Sequence, residues 1–380
     1  MKKLFIIAAA VAAMAACAKV ETVNTNLDKP ITFQAANYVP ATRAGEVSVL
    51  NDFDAFKCKA YLHAEGIDLN ADGTVNGTSY QNFFGADGET ISYDGSSEWA
   101  PSHTYYWPKG SKSFVNFIGW YGTDGTNDVD PTISYAYSGG KYTATMEWDF
   151  TSVAGEAGSN LLYADMAWRY KQNNNPATYG LDGVTEGVPM LFHHALAQIN
   201  VKAYADSTLT AGNGTVSDAV ATWTLAIENA AITPVYNSGT LTLTNEDPGA
   251  NQTQAWTGDW ATSGSADSLK RGSTLNVSKV TKATADTLFN ATCVVPQTIG
   301  ASVVLSFNLR ITTTYNNSPA NPNVELLPIS IKLNDMNTTA WEKNHKYTYF
   351  IKIMPNKAEV LFDPALEEAW VEEEGPVQTI

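Results

Sequence analysis

The chain has 380 residues, and its 23 Lys and Arg against 39 Asp and Glu give a net charge of −16 at pH 7. This charge would repel phosphate backbones, which argues against a nucleic-acid partner. The length suits two domains, each large enough to bury a core of its own.

Residues 1–17 have the composition of a lipoprotein export signal. Lys2 and Lys3 lead into an apolar run, Leu4–Ala16, which ends on small residues directly before Cys17. The run is shorter than the roughly 20 apolar residues that a membrane-spanning helix needs. We therefore predict a signal peptide and a mature chain that begins at Cys17, whose thiol carries the lipid anchor. A plain cleaved signal, in which this cysteine has no role, is the alternative.

Residues 18–43 are predicted to hold a polar tether and a first strand. The strand segment alternates apolar and polar residues, so Ile31, Phe33 and Ala35 would lie on one face of it. Such a face is the part of a strand that packs into a core.

The rest of the chain alternates in the same way between turns of Gly, Asn, Asp and Pro, without the periodicity of a long helix. Parallel sheets would need crossover helices, so the pattern predicts an all-β chain of antiparallel sandwiches. The best strand candidates are Ala55–His63, Ser113–Tyr121, Tyr142–Asp149, Gln198–Tyr204, Ala221–Ile227, Thr240–Thr244, Ser302–Thr314, Leu326–Leu333 and Tyr347–Met354.

A loop rich in Asn, Gly and Pro, residues 171–189, separates two regions of strand pattern. We place the domain boundary near 187, to within about ten residues. This predicts an N-terminal β-sandwich over 44–187, a C-terminal β-sandwich over 188–363 and a tail over 364–380.

Cys58 and Cys293 each stand on the apolar side of an alternating run, so both are predicted to be buried as small hydrophobic residues. Export would permit a disulfide between them. Because they fall in different predicted domains, the disulfide is the less favoured alternative.

The turn Asp68–Asn76 repeats the beginning of a calcium-binding loop, with oxygen-bearing side chains at alternate positions and Gly73 at the sharp turn. Such a loop closes on a bidentate Glu, where this chain has Ser79. A hairpin turn accounts for the same residues, so no metal is assigned and calcium stays an alternative.

No catalytic signature stands out. His193 and His194 are adjacent and would point to opposite faces of a strand, so one is predicted in the core and one in solvent. The sequence has no nucleophile elbow, zinc-protease motif or Walker loop. We therefore predict neither enzyme activity nor a cofactor, and a secreted hydrolase with an unrecognised carboxylate pair is the weakest alternative.

Six aromatic residues cluster in the N-terminal region. They could form a platform for stacking sugars, or they could pack in the core beside a sandwich strand, which is the favoured interpretation. They are Trp99, Tyr105, Tyr106, Trp107, Trp120 and Tyr121.

Several short motifs occur in a fixed order along the chain. They are the lipobox at Cys17, Ala41-Thr42-Arg43-Ala44, Phe114–Trp120, Phe192–Val201, Val295-Pro296-Gln297 and Trp341–Tyr349. In this order and spacing the chain resembles the fimbrillin (Mfa-like) family of Bacteroidetes, the type V pilins, over essentially its full length. The resemblance implies two transthyretin-like β-sandwiches and export as a lipoprotein, through the periplasm to the outer membrane, into a surface fimbria.

The resemblance also implies a mode of assembly. A trypsin-like protease would cut between Arg43 and Ala44 and remove the first strand, with its core side chains, from the N-terminal sandwich. Each large side chain lost from a core costs about 1.5–3 kcal/mol, so the opened subunit would need a partner. A strand from a neighbouring subunit would fill the groove, and the tail 364–380 is the candidate donor strand. If Val360 and Phe362 complete the subunit's own sheet, Trp370–Ile380 is the part left to act as donor.

Three triplets of Asp, a hydroxyl residue and an apolar residue or Thr resemble the O-glycosylation signal of exported Bacteroidetes proteins. They make Ser207, Ser268 and Thr287 candidate glycosylation sites. Such triplets also occur by chance in a chain rich in Thr.

The sequence thus predicts a fimbrial subunit or surface adhesin that polymerises with other fimbrial subunits by donor-strand exchange. The alternative is a monomeric surface lipoprotein that binds host or bacterial glycans through the aromatic cluster.

Overall fold

A computed structural model describes residues 30–37, 48–49, 54–94, 99–108, 112–138, 140–151, 159–170, 187–249, 252–336 and 338–369. Within these residues the chain forms β-strands, three short 3-10 helices and turns, without any α-helix. Accordingly, none of the described segments is a helix long and apolar enough to cross a membrane. The all-β prediction is confirmed, and every strand candidate overlaps an observed strand.

In chain order the strands are β1 (Phe33–Asn37), β2 (Ser48–Val49), β3 (Ala55–His63), β4 (Gln81–Asn82), β5 (Glu89–Tyr93), β6 (Trp99–Pro101), β7 (Phe114–Asp124), β8 (Thr132–Ser138), β9 (Lys141–Thr151), β10 (Ser159–Ala164), β11 (Met166–Tyr170), β12 (Val188–His194), β13 (Ala197–Ala205), β14 (Thr210–Ala211), β15 (Val216–Ser217), β16 (Ala221–Val235), β17 (Ser238–Glu246), β18 (Gln252–Gln254), β19 (Trp260–Ser263), β20 (Asp267–Lys270), β21 (Leu275–Val277), β22 (Asp286–Val294), β23 (Gln297–Thr298), β24 (Val304–Tyr315), β25 (Ser318–Lys332), β26 (Ala340–Trp341), β27 (His345–Met354) and β28 (Glu359–Ala369).

The N-terminal sheet consists of β1 to β7, β10 to β12 and β18, and it closes on itself. Its pairings run from β7 through β10, β12, β1, β6, β5 and β3 back to β7. Apolar side chains inside this ring form the N-terminal core, which includes Phe56, Phe117 and Phe192. Strand β1 is a member of the ring, so it is an internal strand with neighbours on both edges.

A bridging sheet, in the order β19-β17-β9-β8, packs on the opposite side of β7, β10 and β11. The central core lies between them and contains Trp148, Trp168 and Tyr142. Because both faces of β7 are covered, its residues 114–120 are all buried, and they read as a nearly continuous apolar run.

The C-terminal sandwich has two sheets around the C-terminal core. One sheet has the order β22-β13-β27-β28, and the other has the order β14-β15-β16-β24-β25 with β20 and β21 also paired to β16. Strand β24 shows the expected alternation, with Leu305, Phe307 and Leu309 buried in this core. The predicted tandem of β-sandwiches is confirmed.

Strand pairing crosses the predicted boundary at 187. Strand β12 begins at Val188 but pairs with β1 and β10, because its apolar residues alternate into the N-terminal core. The chain changes sheets only at Ala195 and Leu196, which are buried in the central core. Further along the chain, β17 pairs with β9 and with β19 in the bridging sheet. Strand β18 pairs with β11 of the N-terminal sheet.

Two strand pairs depart from the predicted antiparallel pattern, since β1 pairs with β12 and β13 pairs with β27 in parallel. A parallel pair needs a long connection, and here other strands supply it in place of a helix. Cys58 lies in the N-terminal core and Cys293 in the central core, and no disulfide joins them. Their predicted burial is confirmed.

Candidate functional site

The predicted first strand lies at the centre of the N-terminal sandwich. Along one edge, β1 pairs in parallel with β12 from Phe33 opposite Val188 to Asn37 opposite Phe192. Along the other edge, Phe33 pairs with Trp99 of β6 and the end of β1 pairs with β2. Removing β1 would therefore expose the edge of β12 on one side and paired residues of β6 and β2 on the other.

The three alternate side chains of this segment are in the N-terminal core. Ile31 and Phe33 are fully buried, and Ala35 is 8% exposed. The Phe33 ring makes edge-to-face contacts with Phe117 and Phe56, at centroid distances of 5.4 and 6.0 Å. Such contacts add to the burial energy of an aromatic side chain, so Phe33 is the main anchor of the strand.

Gly187 lets the backbone of β1 approach that of β12. Its φ of 106° lies in the region that favours glycine, and a Cβ atom at this position would be 2.7–2.9 Å from backbone atoms of Phe33. Any side chain at position 187 would therefore push β1 out of its place.

A connection between β6 and β7, residues 102–107, lies across the beginning of the first-strand segment, and we call it the clamp loop. The Ile31 amide donates to the Tyr105 carbonyl at 2.8 Å, and Pro30 forms a β-bridge with Tyr106. The Tyr105 ring packs against Phe84 at 4.6 Å between centroids. The clamp loop thus holds the residues that enter β1.

The Glu89 carboxylate holds the clamp loop. Tyr105 Oη donates to Glu89 Oε1 at 2.7 Å and His103 Nδ1 donates to the same oxygen at 2.9 Å, while Ser102 Oγ donates to Oε2. Burial acts to raise the pKa of Glu89, but these three hydrogen bonds outweigh it and hold the pKa below its usual value. The carboxylate is therefore charged at neutral pH.

Cys17, Arg43 and Ala44 lie outside the described residues. The strands on either side of the predicted cleavage position are described, and β1 pairs antiparallel with β2 through Ala36 opposite Val49. A cut after Arg43 would fall in the connection between these two strands. It would leave β1 without a covalent link to the rest of the ring.

The C-terminal tail is shorter than predicted. Strand β28 pairs with β27 as far as Ala369, so residues 364–369 belong to the sheet and 370–380 lie outside the described residues. Pro364, Glu367 and Glu368 interrupt the apolar alternation, so the sequence pattern does not predict a strand here. Proline is tolerated because β28 is an edge strand, and the register shifts at this point.

The calcium-like turn directs its first acidic residue inward. Asp68 Oδ2 accepts hydrogen bonds from His63 Nδ1 at 2.6 Å and Tyr142 Oη at 2.5 Å, and all three side chains are buried. Asp72 Oδ1 accepts from the amide and hydroxyl of Thr74 within the turn. These bonds match the interpretation of the segment as a hairpin turn. No cluster of metal-ligating side chains occurs among the described residues.

The buried pair of His63 and Asp68 has a defined protonation state. His63 Nδ1 faces the Asp68 carboxylate and carries the proton, so in the neutral ring Nε2 accepts from Tyr135 Oη at 2.8 Å, while Asn116 Nδ2 donates to the same hydroxyl at 2.6 Å. Burial lowers the pKa of His63. Burial acts to raise the pKa of Asp68, but its bonds from His63 and Tyr142 bring it below the ordinary value. His63 is therefore a neutral imidazole that donates a hydrogen bond to the ionised Asp68 carboxylate.

An ion pair between Arg169 and Asp247 connects the N-terminal sheet to the end of the bridging strand β17. Arg169 of β11 donates from Nε and Nη2 to the two oxygens of Asp247, at 3.0 and 2.6 Å. Its backbone amide donates to Asn116 Oδ1 at 2.6 Å, which joins this pair to the His63 network. Bidentate pairs of this kind fix geometry as well as charge.

The prediction that one of the adjacent histidines faces solvent is wrong. His193 Nε2 donates to Asp165 Oδ1 at 2.7 Å and its ring stacks on Tyr163, while His194 Nδ1 donates to Asn160 Oδ1 at 3.0 Å. The two rings point to opposite faces of β12, as strand alternation requires. Because both faces of β12 are covered, both rings are buried. Burial lowers the pKa of His194 to about 3.

The aromatic cluster is mostly core. Trp99 and Trp120 are each 3% exposed, and Tyr105, Trp107 and Tyr121 are partly buried against the N-terminal core. Tyr106 is the exception, with 53% of its surface exposed. The packing matches the favoured interpretation for five of the six residues.

The candidate glycosylation sites differ in accessibility. Ser207 is exposed in the turn after β13, where Asp206 accepts from Thr208 at 2.6 Å. Ser268 of β20 is partly buried and donates to Thr233 Oγ1 at 3.1 Å, and Thr287 of β22 is also partly buried. Ser207 is the most accessible of the three.

Sequence reasoning missed Gly187 and Glu89. A glycine directly before an apolar strand is a signal for close backbone approach, so Gly187 could have been found. Glu89 gives no such signal, because its partners Ser102, His103 and Tyr105 meet it only once β5 and β6 pair, and no local motif marks that pairing.

Comparison with known proteins agrees with this architecture. A fimbrial protein from Bacteroides vulgatus ATCC 8482 superposes with a TM-score of 0.52 at 16% identity, covering 90% of this chain and 99% of that chain. Candidate cell adhesion proteins from Bacteroides uniformis ATCC 8492 (15% identity, coverage 92% and 100%, TM-score 0.41) and Bacteroides ovatus ATCC 8483 (12% identity, coverage 91% and 99%, TM-score 0.44) are also similar. At these identities the first superposition supports the fold alone.

A search of curated protein sequences found no significant match. The sequence profile of fimbrillin-like proteins matches residues 64–366, which is well over half of the chain. The resemblance drawn from the sequence motifs is thereby confirmed. The chain belongs to the fimbrillin-like family.

Proposed function

We propose that this protein is a fimbrial subunit or surface adhesin that is exported as a lipoprotein and assembled by donor-strand exchange after cleavage between Arg43 and Ala44. Family membership supports the general role in fimbriae and a location at the cell surface. The observation that carries the assembly step is the position of β1, which is an internal strand of the closed ring while standing at the N-terminal side of the predicted cut.

The energetics favour exchange over simple loss of the strand. Ile31 and Phe33 are fully buried, so their removal costs roughly 3–6 kcal/mol of hydrophobic burial. This is a large part of the about 5–15 kcal/mol that stabilises a typical domain. A subunit without β1 would gain this energy back by accepting a strand with apolar side chains at alternate positions.

The opened ring would also present two strand edges. Strands β12 and β6 would each expose main-chain groups to which β1 had been bonded. Main-chain hydrogen bonds give affinity in strand addition, and pockets for alternate side chains give specificity. The partner is therefore another fimbrial subunit, of this chain or a related one, and residues 370–380 are the candidate donor segment.

Export, anchoring and modification of the chain belong to the same proposal. Cys17 would carry the lipid that holds the precursor in the outer membrane, and a trypsin-like protease would perform the cut. Because the lipid is on the N-terminal side of Arg43, release of the cleaved segment would also release the subunit from its anchor. Ser207 is the most accessible of the candidate glycosylation sites, and the proposal includes no catalytic step, cofactor or metal.

The glycan-binding alternative has less support, because five of the six aromatic residues pack in or against cores. Tyr106 alone leaves about half of its surface exposed. We therefore do not propose it as a second function.

The test is limited trypsin digestion of the purified chain, with the new N-terminus identified by mass spectrometry and the products run on SDS gels without heating. The wild type is expected to be cut after Arg43 and to form SDS-resistant ladders. An Arg43→Ala variant is expected to remain uncut at this position and monomeric, whereas a control variant, Arg310→Gln in β24, should behave as the wild type. Ladders that form equally from Arg43→Ala would contradict the proposal.

A further inference from the structure

Cleavage after Arg43 would free only one end of the removable segment. The other end is paired with the clamp loop, since the Ile31 amide donates to the Tyr105 carbonyl and the exposed Pro30 forms a β-bridge with Tyr106. Strand β6 adds a single residue pair, Phe33 with Trp99. Strand β2 pairs with the opposite end of this edge, through Ala36 and Asn37. The clamp loop therefore makes the contacts at the N-terminal end of the edge.

The clamp loop is itself fastened through one carboxylate. Glu89 of β5 accepts side-chain hydrogen bonds from Ser102, His103 and Tyr105, and its side chain is only 8% exposed. The Ser102 amide adds a bond to the Thr90 carbonyl at 3.0 Å. Because three donors converge on Glu89, its loss would leave the loop without its main polar attachment to the sheet.

We propose that Glu89 holds the clamp loop against Pro30 and Ile31, so that this residue controls how fast the cleaved first strand leaves the subunit. The inference rests on the proposed function, because it concerns release of the same strand. Glu89 acts here as a positioning residue, since its effect on the strand passes through Tyr105.

The contact between the clamp loop and Pro30–Ile31 is at the end of the segment that the cut does not free. The cut loosens the segment at the C-terminal end of β1, while the clamp loop retains it at the N-terminal end, next to the tether. Both ends must open before the strand can leave between β12 and β6. A subunit could thus be cut and still keep its strand until the clamp loop opens, which would hold cleaved subunits back from premature polymerisation.

The test measures release separately from cleavage. A site for a sequence-specific protease is placed in the 38–47 connection of the full chain, so that every variant is cut at the same position. Retention of the N-terminal fragment is followed over time by size-exclusion chromatography and mass spectrometry, with an excess of a synthetic peptide of residues 27–38 to prevent rebinding. The variants are Glu89→Gln, which replaces the acceptor of three bonds, and Tyr105→Phe, which removes one donor and keeps the ring.

Glu89→Gln is expected to speed release at least about 10-fold, because hydrogen bonds to a charged group are among the stronger ones in proteins. Tyr105→Phe should speed release by a smaller factor. The matched control is Glu228→Gln, which removes a carboxylate that accepts two bonds from Arg310 in the C-terminal sandwich. This control changes a carboxylate far from the first strand and should leave the release rate unchanged.

The outcomes separate the two proposals. If the wild-type fragment leaves and both clamp variants release it at the wild-type rate, control by Glu89 is overturned and donor-strand exchange is unaffected. Release that quickens equally in Glu228→Gln would reduce the effect to general destabilisation and overturn the inference as well. A fragment that stays bound in every variant would overturn both proposals.

Discussion

The first and the last described strands of the molecule hold opposite positions in their sheets. Strand β1 has five residues and lies between β12 and β6 inside a closed ring. Strand β28 has eleven residues and pairs only with β27, at the edge of an open sheet. The shorter strand has the more central place.

This difference shows that strand length is a poor guide to structural importance. Losing an edge strand exposes the one neighbour it covered, whereas losing an internal strand exposes two edges and the core beneath it. The N-terminal sandwich therefore depends on an internal strand near its N-terminus, whereas loss of β28 would leave β13 and β27 covering the C-terminal core.

The largest effect is expected from Phe33→Ala compared with Phe362→Ala. Phe33 is fully buried, so its truncation should cost about 3–5 kcal/mol of unfolding free energy. Phe362 of β28 is only partly buried against the C-terminal core, and its truncation should cost about 1–2 kcal/mol. Chemical denaturation measures both values. Equal costs would mean that β1 is no more central than an edge strand.

Gly187→Ala should cause the next largest loss of stability. It tests one contact of β1, the close approach of its backbone to Gly187. The new Cβ atom would meet the backbone of Phe33, so we expect a loss of about 2–4 kcal/mol and faster hydrogen exchange in β12. The control is Gly66→Ala, at φ 84° with no atom within 4 Å of the new Cβ, which should cost only about 1–2 kcal/mol. If both variants lose the same stability, the close approach to β1 has no energetic weight.

The smallest effect is a difference in acid sensitivity between the two sandwiches. The folded pKa of His63 lies below its ordinary 6.5, so the unfolded chain takes up a proton first as the pH falls through 6.5 and the folded state loses stability. His194, with its pKa lowered to about 3, acts in the same direction. The stabilising contribution of Asp68 is present above its ordinary 3.8 and is lost only at lower pH, as its depressed folded pKa is reached.

Between pH 7.5 and pH 5 the histidines should therefore dominate this acid sensitivity. Hydrogen exchange, corrected for the intrinsic pH dependence, should show β3 and β12 losing protection while β24 changes little. Equal loss in β24 would show that acid acts on the whole molecule and not through these buried rings.

Sequence periodicity was a good guide wherever one face of a strand is buried. Ile31, Phe33 and Ala35 alternate into the core as predicted, and the candidate Ala55–His63 has the observed bounds of β3. Periodicity failed where burial is not one-sided or where a strand is at an edge. His193 and His194 are both buried because both faces of β12 are covered, and β28 continues through Pro364 because an edge strand does not need every amide.

The sequence alone determined the all-β class, the family and the apolar face of the first strand, because these depend on local alternation and on motifs that lie along the chain. Tertiary structure decided which strands are neighbours: that β1 is internal, that β12 belongs to the N-terminal ring, and that Glu89 fastens the loop over Ile31. These features depend on pairing between residues far apart in the chain, and nothing in the local pattern of a strand specifies its partner. The internal place of β1 therefore follows from the closure of the sheet and not from the local sequence.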